Sequence, residues 1–310
     1  ALKESGHEAH TLPIYLPLSM DHQAKEENVP VFYGAISIYL KQQFKIFRHM
    51  PLWLEKFFNS APFLKLAAKK AGSTRAEGLE EMTISMLKGH EGYQAEELDM
   101  LINYLKHHAK PDIIHLSNAL LLGLAKKIKQ ELNIPVVCSL QDEDVWIDAM
   151  RPSYVPGLWK LLSEKAADVD AFIPVSHYFS ERMQQKMNIP SSKIHVVPIG
   201  IEPELYTFKE PDRNSPSIGY LSRLNKENGF DIVIDAFIKL KQMPGHEQTQ
   251  LKVTGGSTGD DKRFIHRQKQ KLKRNGVLSH VQFLNAYEGE KKKAFLRDLT
   301  LLSVPVLSGE

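Results

Sequence analysis

Short apolar runs alternate with longer stretches of helical period along most of the chain. The runs that read as strands are Ile113–Leu116, Ile134–Leu140, Ala171–Val175 and Ile194–Val197, then Ser217–Leu221, Leu251–Thr254, Val281–Leu284 and Leu301–Val304. Between them, Leu120, Leu121, Leu124, Ala125 and Ile128 form one apolar stripe, and Phe230, Val233, Ile234, Phe237 and Leu240 another. Strands separated by helices at this spacing predict βαβ units and a parallel sheet, so the fold class is α/β. A strand ending in Pro198-Ile199-Gly200-Ile201-Glu202-Pro203 predicts a break into a first domain over 1–200 and a second over 201–310.

One stretch departs from this alternation. From Val31 to about His108 the pattern is nearly all helical, with Phe32, Tyr33, Trp53, Phe57 and Phe58 among its aromatic residues. It predicts a helical insertion in the first domain. Aromatic residues at this spacing usually face a core, and a wall for a bulky partner is the other reading. At the start, Ala1–Gly6 reads as the last turn of a helix with a glycine cap, followed by a strand over Thr11–Leu16. The chain opens without methionine and stops directly after an apolar run, which predicts a piece of a longer protein.

Composition narrows the classes. The 310 residues are 42% hydrophobic and 25% charged, with a formal charge of +3, too balanced for a dedicated nucleic-acid binder. The charge is uneven, −1 up to residue 200 and +4 after it, which suits an anionic ligand in the second domain. The single cysteine, Cys138, excludes an internal disulfide and a cysteine-rich metal site. With no apolar stretch of membrane-spanning length and no leader pattern, the expected location is cytoplasmic.

Several signatures fail. Gly255-Gly256-Ser257-Thr258-Gly259-Asp260 lacks the ending of a Walker loop, and His7 and His10 are three apart rather than four. The basic runs Lys262-Arg263, Arg267–Arg274 and Lys291–Lys293 read as solvated helix faces. What survives is the stretch from Ser217 to Asp231. A strand ends at Leu221, a loop carries Arg223 and Lys226, and a helix starts near Asn228, a good capping residue. Cations on a strand-end loop beside a helix N-terminus suit a diphosphate, and a guanidinium can hold two of its oxygens.

Here the sequence resembles the family 4 glycosyltransferases, retaining enzymes of the GT-B fold. Ser222-Arg223-Leu224 and Gly229 stand at positions of the family's Gly-Arg-Leu…Lys-Gly loop. Leu251–Gly256 resembles its next strand and glycine turn, and Val281–Ala286 the strand leading to its base pocket. Ser303–Glu310 is similar to the run that ends at the first glutamate of its Glu-x7-Glu motif. In the first domain Lys110–His115, Ile134–Val137 and Val175-Ser176 also match. The resemblance spans about 1–20 and 110–310 and leaves the helical insert unexplained.

The resemblance implies two Rossmann-like domains facing across a cleft, the first binding the acceptor and the second, incomplete here, the donor. It implies transfer of a hexosyl group from a nucleotide diphosphate sugar to a hydroxyl of a glycan or other acceptor, as in polysaccharide biosynthesis, with retention and without a metal cofactor. Arg223 would stabilise the leaving diphosphate, and Glu310 would orient the donor sugar. Lys226, Asn228, Gly255, Gly256 and Asn285 complete the implied donor site. Asn228 stands where the family has its phosphate-binding lysine, which leaves Lys226 as the helper. Gln141-Asp142-Glu143-Asp144 stands where the family often has a histidine. Gln141, Asp142 and Glu143 could bind an acceptor sugar, or Asp142 and Asp144 could cap a helix beginning near Val145. A non-catalytic binder of sugar nucleotides or glycans and, less favoured, a sugar-nucleotide epimerase are the alternative functions. Peripheral contact with the inner membrane face is open if the acceptor is lipid-linked.

Overall fold

The computed structural model describes residues 2–12, 14, 76–210, 214–259, 261–285 and 289–306. Residues 31–75 of the insert expected over 31–108, most of the expected strand over 11–16, and Glu310 lie outside the described residues; residues 76–108 are largely helical, and Thr11 and Leu12 are not in a strand. The opening turn is closed by hydrogen bonds from Gly6 N to Lys3 O and from His7 N to Leu2 O, with Gly6 left-handed at φ 85°. That is the bonding of a helix C-terminus ended by glycine.

The chain divides into two compact units, between Ile199 and Gly200. In the first, α1 (Glu80–Lys88) and α2 (Ala95–Tyr104) precede β1 (Ile114–Leu116). After a 3-10 turn over Ala119–Leu124 come α3 (Ala125–Leu132), β2 (Val136–Leu140), α4 (Glu143–Asp148), α5 (Val155–Ala166), β3 (Ala171–Pro174) and α6 (His177–Met187). The three strands are parallel in the order β1-β2-β3, with Leu116 opposite Cys138 and Cys138 opposite Phe172. Leu116, Val136, Cys138, Leu140 and Phe172 project from one face, are all buried, and pack with Leu122, Ile128, Leu158, Leu162 and Met183 from the helices. Each such side chain contributes about 1.5–3 kcal/mol by leaving water. Burial pushes the Cys138 thiol well above its usual range, as expected of an inert core cysteine.

The expected strand over Ile194–Val197 is a correction. Ile194 makes a single bridge to Phe172, and His195 N and Val197 N donate to the carbonyls of Phe172 and Pro174. The segment lies along β3 as extended chain, without the reciprocal bonds of a ladder. His195 and Val197 are exposed there, and among the described residues no further strand pairs with the segment.

The second unit contains β4 (Ser217–Leu221), α7 (Phe230–Lys241), β5 (Gln250–Thr254), α8 (Asp261–Arg274), β6 (Val281–Leu284), α9 (Gly289–Arg297) and β7 (Leu301–Ser303). All four strands are parallel, in the order β6-β5-β4-β7, so the chain reverses direction across the sheet after β6. Tyr220, Leu251 and Val253 meet Phe230, Val233, Ile234, Phe237 and Leu272 of α7 and α8 in one core. Phe230 is its centre, with the rings of Tyr220, Phe264 and Phe283 within 5.3, 6.4 and 6.4 Å.

The first unit also buries charge. The fully buried Glu80 carboxylate accepts from Arg151 N, Nε and Nη2 at 3.1, 3.0 and 2.9 Å and from Gly78 N at 3.0 Å. The Arg151 guanidinium outweighs burial and holds the Glu80 carboxyl at about 2. With the folded value depressed, this pair stabilises the unit above pH 4.5 and is lost as pH falls towards 2. Glu80→Ala is expected to cost about 2–3 kcal/mol, since it removes hydrogen bonds to a charged group. In unfolding scans at several pH values, the variant should lose less stability than the parent between pH 4.5 and 2.

Candidate functional site

In a parallel sheet, ligands sit at the carboxyl ends of the strands, beside the point where strand order reverses. In the second unit that point is the end of β4, flanked by β5 and β7. The loop leaving β4 is tightly bound. Leu224 N donates to Gly256 O at 3.0 Å and Ser222 N to Thr254 O at 3.3 Å, which joins this loop to the one leaving β5. The buried Tyr220 hydroxyl lies 2.8 Å from Arg223 O and 3.1 Å from Asn228 O, and spans the loop from below. Burial, as the largest influence, pushes this phenol up to about 12, so it stays a donor throughout the neutral range.

Two glycines make the close approach possible. A Cβ on Gly255 would run into the Ser222 carbonyl, and one on Gly229, which is left-handed at φ 71°, would run into the Pro305 carbonyl after β7. The three strand-end loops therefore touch backbone to backbone.

Arg223 is held at this junction. Its Nε donates to Asp261 Oδ2 at 3.1 Å and its Nη2 to Thr258 Oγ1 at 3.0 Å, while the side chain keeps 43% of its surface. Burial raises the Asp261 carboxyl, but the bonds from Thr258 and Arg223 overcome it and hold it below the usual carboxylate range. Lys226 lines an open groove with Arg267, Lys271 and Arg274 of α8.

The expected cap at Asn228 is corrected. Helix α7 begins at Phe230 with Gly229 in the capping position, and Asn228 N instead donates to the Asn225 side chain at 2.9 Å. Gly256 and Asn285 are exposed at the ends of β5 and β6. Thr258 and Asp261, which hold Arg223, are not among the residues the sequence singles out.

In the first unit, the carboxylate cluster after β2 has two faces. Glu143 is 1% exposed, and its two oxygens accept from Ala119 N at 2.8 Å and Gln141 N at 2.7 Å. Its assignment to an acceptor is corrected: both oxygens already serve the backbone. Asp144 is likewise buried and ion-paired with Arg182, so it neither caps nor faces solvent. Helix α4 starts at Glu143 rather than near Val145, and the left-handed Asp142 precedes it without a side-chain capping bond. Asp142 and Gln141 remain exposed; Gln141 Nε2 donates to Ser117 O at 3.3 Å. Nearby, His115 Nε2 and Ser139 Oγ are 2.7 Å apart. Among the described residues no three His, Cys, Asp or Glu side chains are grouped to hold a metal.

Residues 85–205 match the family model described as Glycosyltransferase Family 4. Over this stretch, about two fifths of the chain, the sequence is similar to the family 4 glycosyltransferases. Solved structures agree on the fold. Anabaena HepE in complex with UDP and glucose is 16% identical, with a TM-score of 0.55 over 77% of this chain and 73% of that one. A glycosyltransferase from Rickettsia africae is 14% identical, with a TM-score of 0.52 over 75% and 70%. Sucrose-phosphate synthase from Thermosynechococcus elongatus is 18% identical, with a TM-score of 0.51 over 68% and 55%. At these identities the likeness is one of fold, and the fold is of the GT-B type. No curated protein matches the chain.

Two outcomes follow. Gly255→Ala should destabilise the second unit by about 1–3 kcal/mol, the usual cost of overpacking, read as a lower melting temperature. Burial, as the largest influence, raises the Glu143 carboxyl from 4.5 to about 7. The folded form therefore holds its proton longer, and stability should fall as pH rises from 4.5 to 7. Glu143→Gln, which cannot ionise, should flatten that slope in melts across the same range.

Proposed function

We propose that the chain is a retaining glycosyltransferase that moves a hexosyl group from a nucleotide diphosphate sugar to a hydroxyl of a glycan or other acceptor. The observation that carries this reading is Arg223, half-exposed at the end of β4 and held by Asp261 and Thr258 at the start of α8. As the glycosidic bond loosens, negative charge gathers on the diphosphate and positive charge on the sugar. A fixed guanidinium beside a helix N-terminus stabilises that developing anion without needing a metal. Anabaena HepE was solved with UDP, with UDP and glucose, and with UDP-glucose, so a uridine diphosphate sugar is the first donor to try.

Within this reading Glu310, outside the described residues, orients the donor sugar, and Gly255, Gly256 and Asn285 line the donor side. Lys226 serves the outer edge of the site rather than the diphosphate itself, because it lines the α8 groove. Asn228 offers hydrogen bonds where a cation would otherwise stand. Exposed Asp142 and Gln141 remain for the acceptor. No helix among the described residues is long and apolar enough to cross a membrane. Work in the cytoplasm, with peripheral contact at the membrane when the acceptor is lipid-linked, fits this reading.

The test is thermal stability against UDP, GDP, ADP and no nucleotide. A ligand at 100 times its Kd adds about 2.7 kcal/mol. A shift with one diphosphate that is lost in Arg223→Ala supports the donor site and names the base. No shift with any of them, from folded protein, overturns it. With a donor identified, Arg223→Ala should lower kcat about 10²-fold, the usual loss for one preorganised charge contact. A nucleotide shift without any sugar transfer would favour the non-catalytic binder.

A further inference from the structure

The Arg223 contacts carry more than a surface ion pair. Asp261 is 7% exposed, and its Oδ2 accepts three hydrogen bonds: from Thr258 N at 2.7 Å, Thr258 Oγ1 at 2.9 Å and Arg223 Nε at 3.1 Å. Thr258 Oγ1 in turn accepts from Arg223 Nη2 at 3.0 Å. The bonds from Thr258 N and Oγ1 to the Asp261 carboxylate tie the β5 loop to the first residue of α8. That junction is also the seat of an arginine that belongs to a different loop, 38 residues earlier.

We infer that Asp261 and Thr258 are positioning residues of the donor site, fixing Arg223 so that its remaining N–H groups are presented to a diphosphate. This rests on the donor-site reading above and adds to it which residues make that site work. A guanidinium carries five N–H donors. The two contacts use one on Nε and one on Nη2, and the other three have no partner among the described residues. The backbone of Arg223 is fixed as well, because its carbonyl lies 2.8 Å from the Tyr220 hydroxyl. A free arginine side chain loses about 2 kcal/mol of rotamer entropy when it is immobilised. Where the clamp has already immobilised it, the ligand does not bear that cost. Asp261 also offsets part of the positive charge. Asp261→Asn therefore reads the balance between the positioning it gives Arg223 and the repulsion its carboxylate exerts on a phosphate.

The test compares UDP with uridine, or the matching pair if GDP or ADP is the diphosphate that shifts the melt, against the full chain by calorimetry. Asp261→Asn removes the charge but leaves an oxygen for Thr258 N. It should weaken UDP about 10-fold and leave uridine unchanged, because Arg223 acts only on the diphosphate. Thr258→Val keeps the carboxylate and the Thr258 N–H, and should weaken UDP about 3-fold. It is also the variant to read if Asp261→Asn fails to fold. A residue that merely secures the start of α8 would lower the melting temperature and leave UDP affinity intact, or weaken both ligands alike; either result overturns the inference. If the parent chain binds no diphosphate, the donor-site reading falls and takes this one with it. Normal parent binding with unchanged variants overturns the positioning role alone.

Discussion

The second unit depends on closing the carboxyl ends of its strands without losing hydrogen bonds in the process. The buried Tyr220 hydroxyl does this from inside. Its ring packs on Phe230 in the core, and its oxygen reaches the carbonyls of Arg223 and Asn228 on either side of the loop. A phenylalanine there would fill the same space but leave the carbonyls of Arg223 and Asn228 without that hydroxyl. From outside, Gly255 lets the β5 loop lie against Ser222, and Gly229 lets the β7 loop lie against the start of α7. Hydrophobic burial beneath the sheet thus becomes a rigid set of loops above it, which is the condition for placing a charge.

The first unit solves a related problem with acids. Glu80, Glu143 and Asp144 are all buried, and each sits in the first turn of a helix. A helix N-terminus favours negative charge and offers unpaired N–H groups. Each acid is then satisfied differently: Glu80 by Arg151, Asp144 by Arg182, and Glu143 by two backbone amides from separate segments. Only Glu143 has no cation of its own, and only its carboxyl is raised to about 7. It ties the end of β2 to the turn after β1, so the loop geometry on that side is coupled to one protonation.

Legibility followed the kind of signal. Strands buried on one face, such as Val136–Leu140 and Ser217–Leu221, read directly from continuous apolar runs. Ile194–Val197 carries the same run but has no strand beyond it among the described residues, and composition cannot tell an edge from a centre. The place of Arg223 on the loop after β4 was legible, because the strand before it reads clearly. The site was misread where a residue type permits two chemistries. Glu143 and Asp142 are adjacent carboxylates of equal promise in sequence, but the helix start turns one inward and leaves the other in solvent. Asp261 could not be connected to Arg223 from sequence, because parallel packing of β4 and β5 creates that contact.

Asn228 gives the clamp its physical sense. Where two cations share a diphosphate, either can be somewhat mobile, because the second compensates. In the proposed donor site Asn228 is neutral, and Arg223 is the cation whose side chain the structure holds in place at the end of β4. A lone cation on a flexible stem would spread its charge over many rotamers and would have to be ordered by each ligand it met. Fixed by Asp261 and Thr258, it becomes a directional donor whose free N–H groups are already in place. Losing a charge at one position raises the value of geometry at the next, and this chain supplies that geometry from the start of a neighbouring helix.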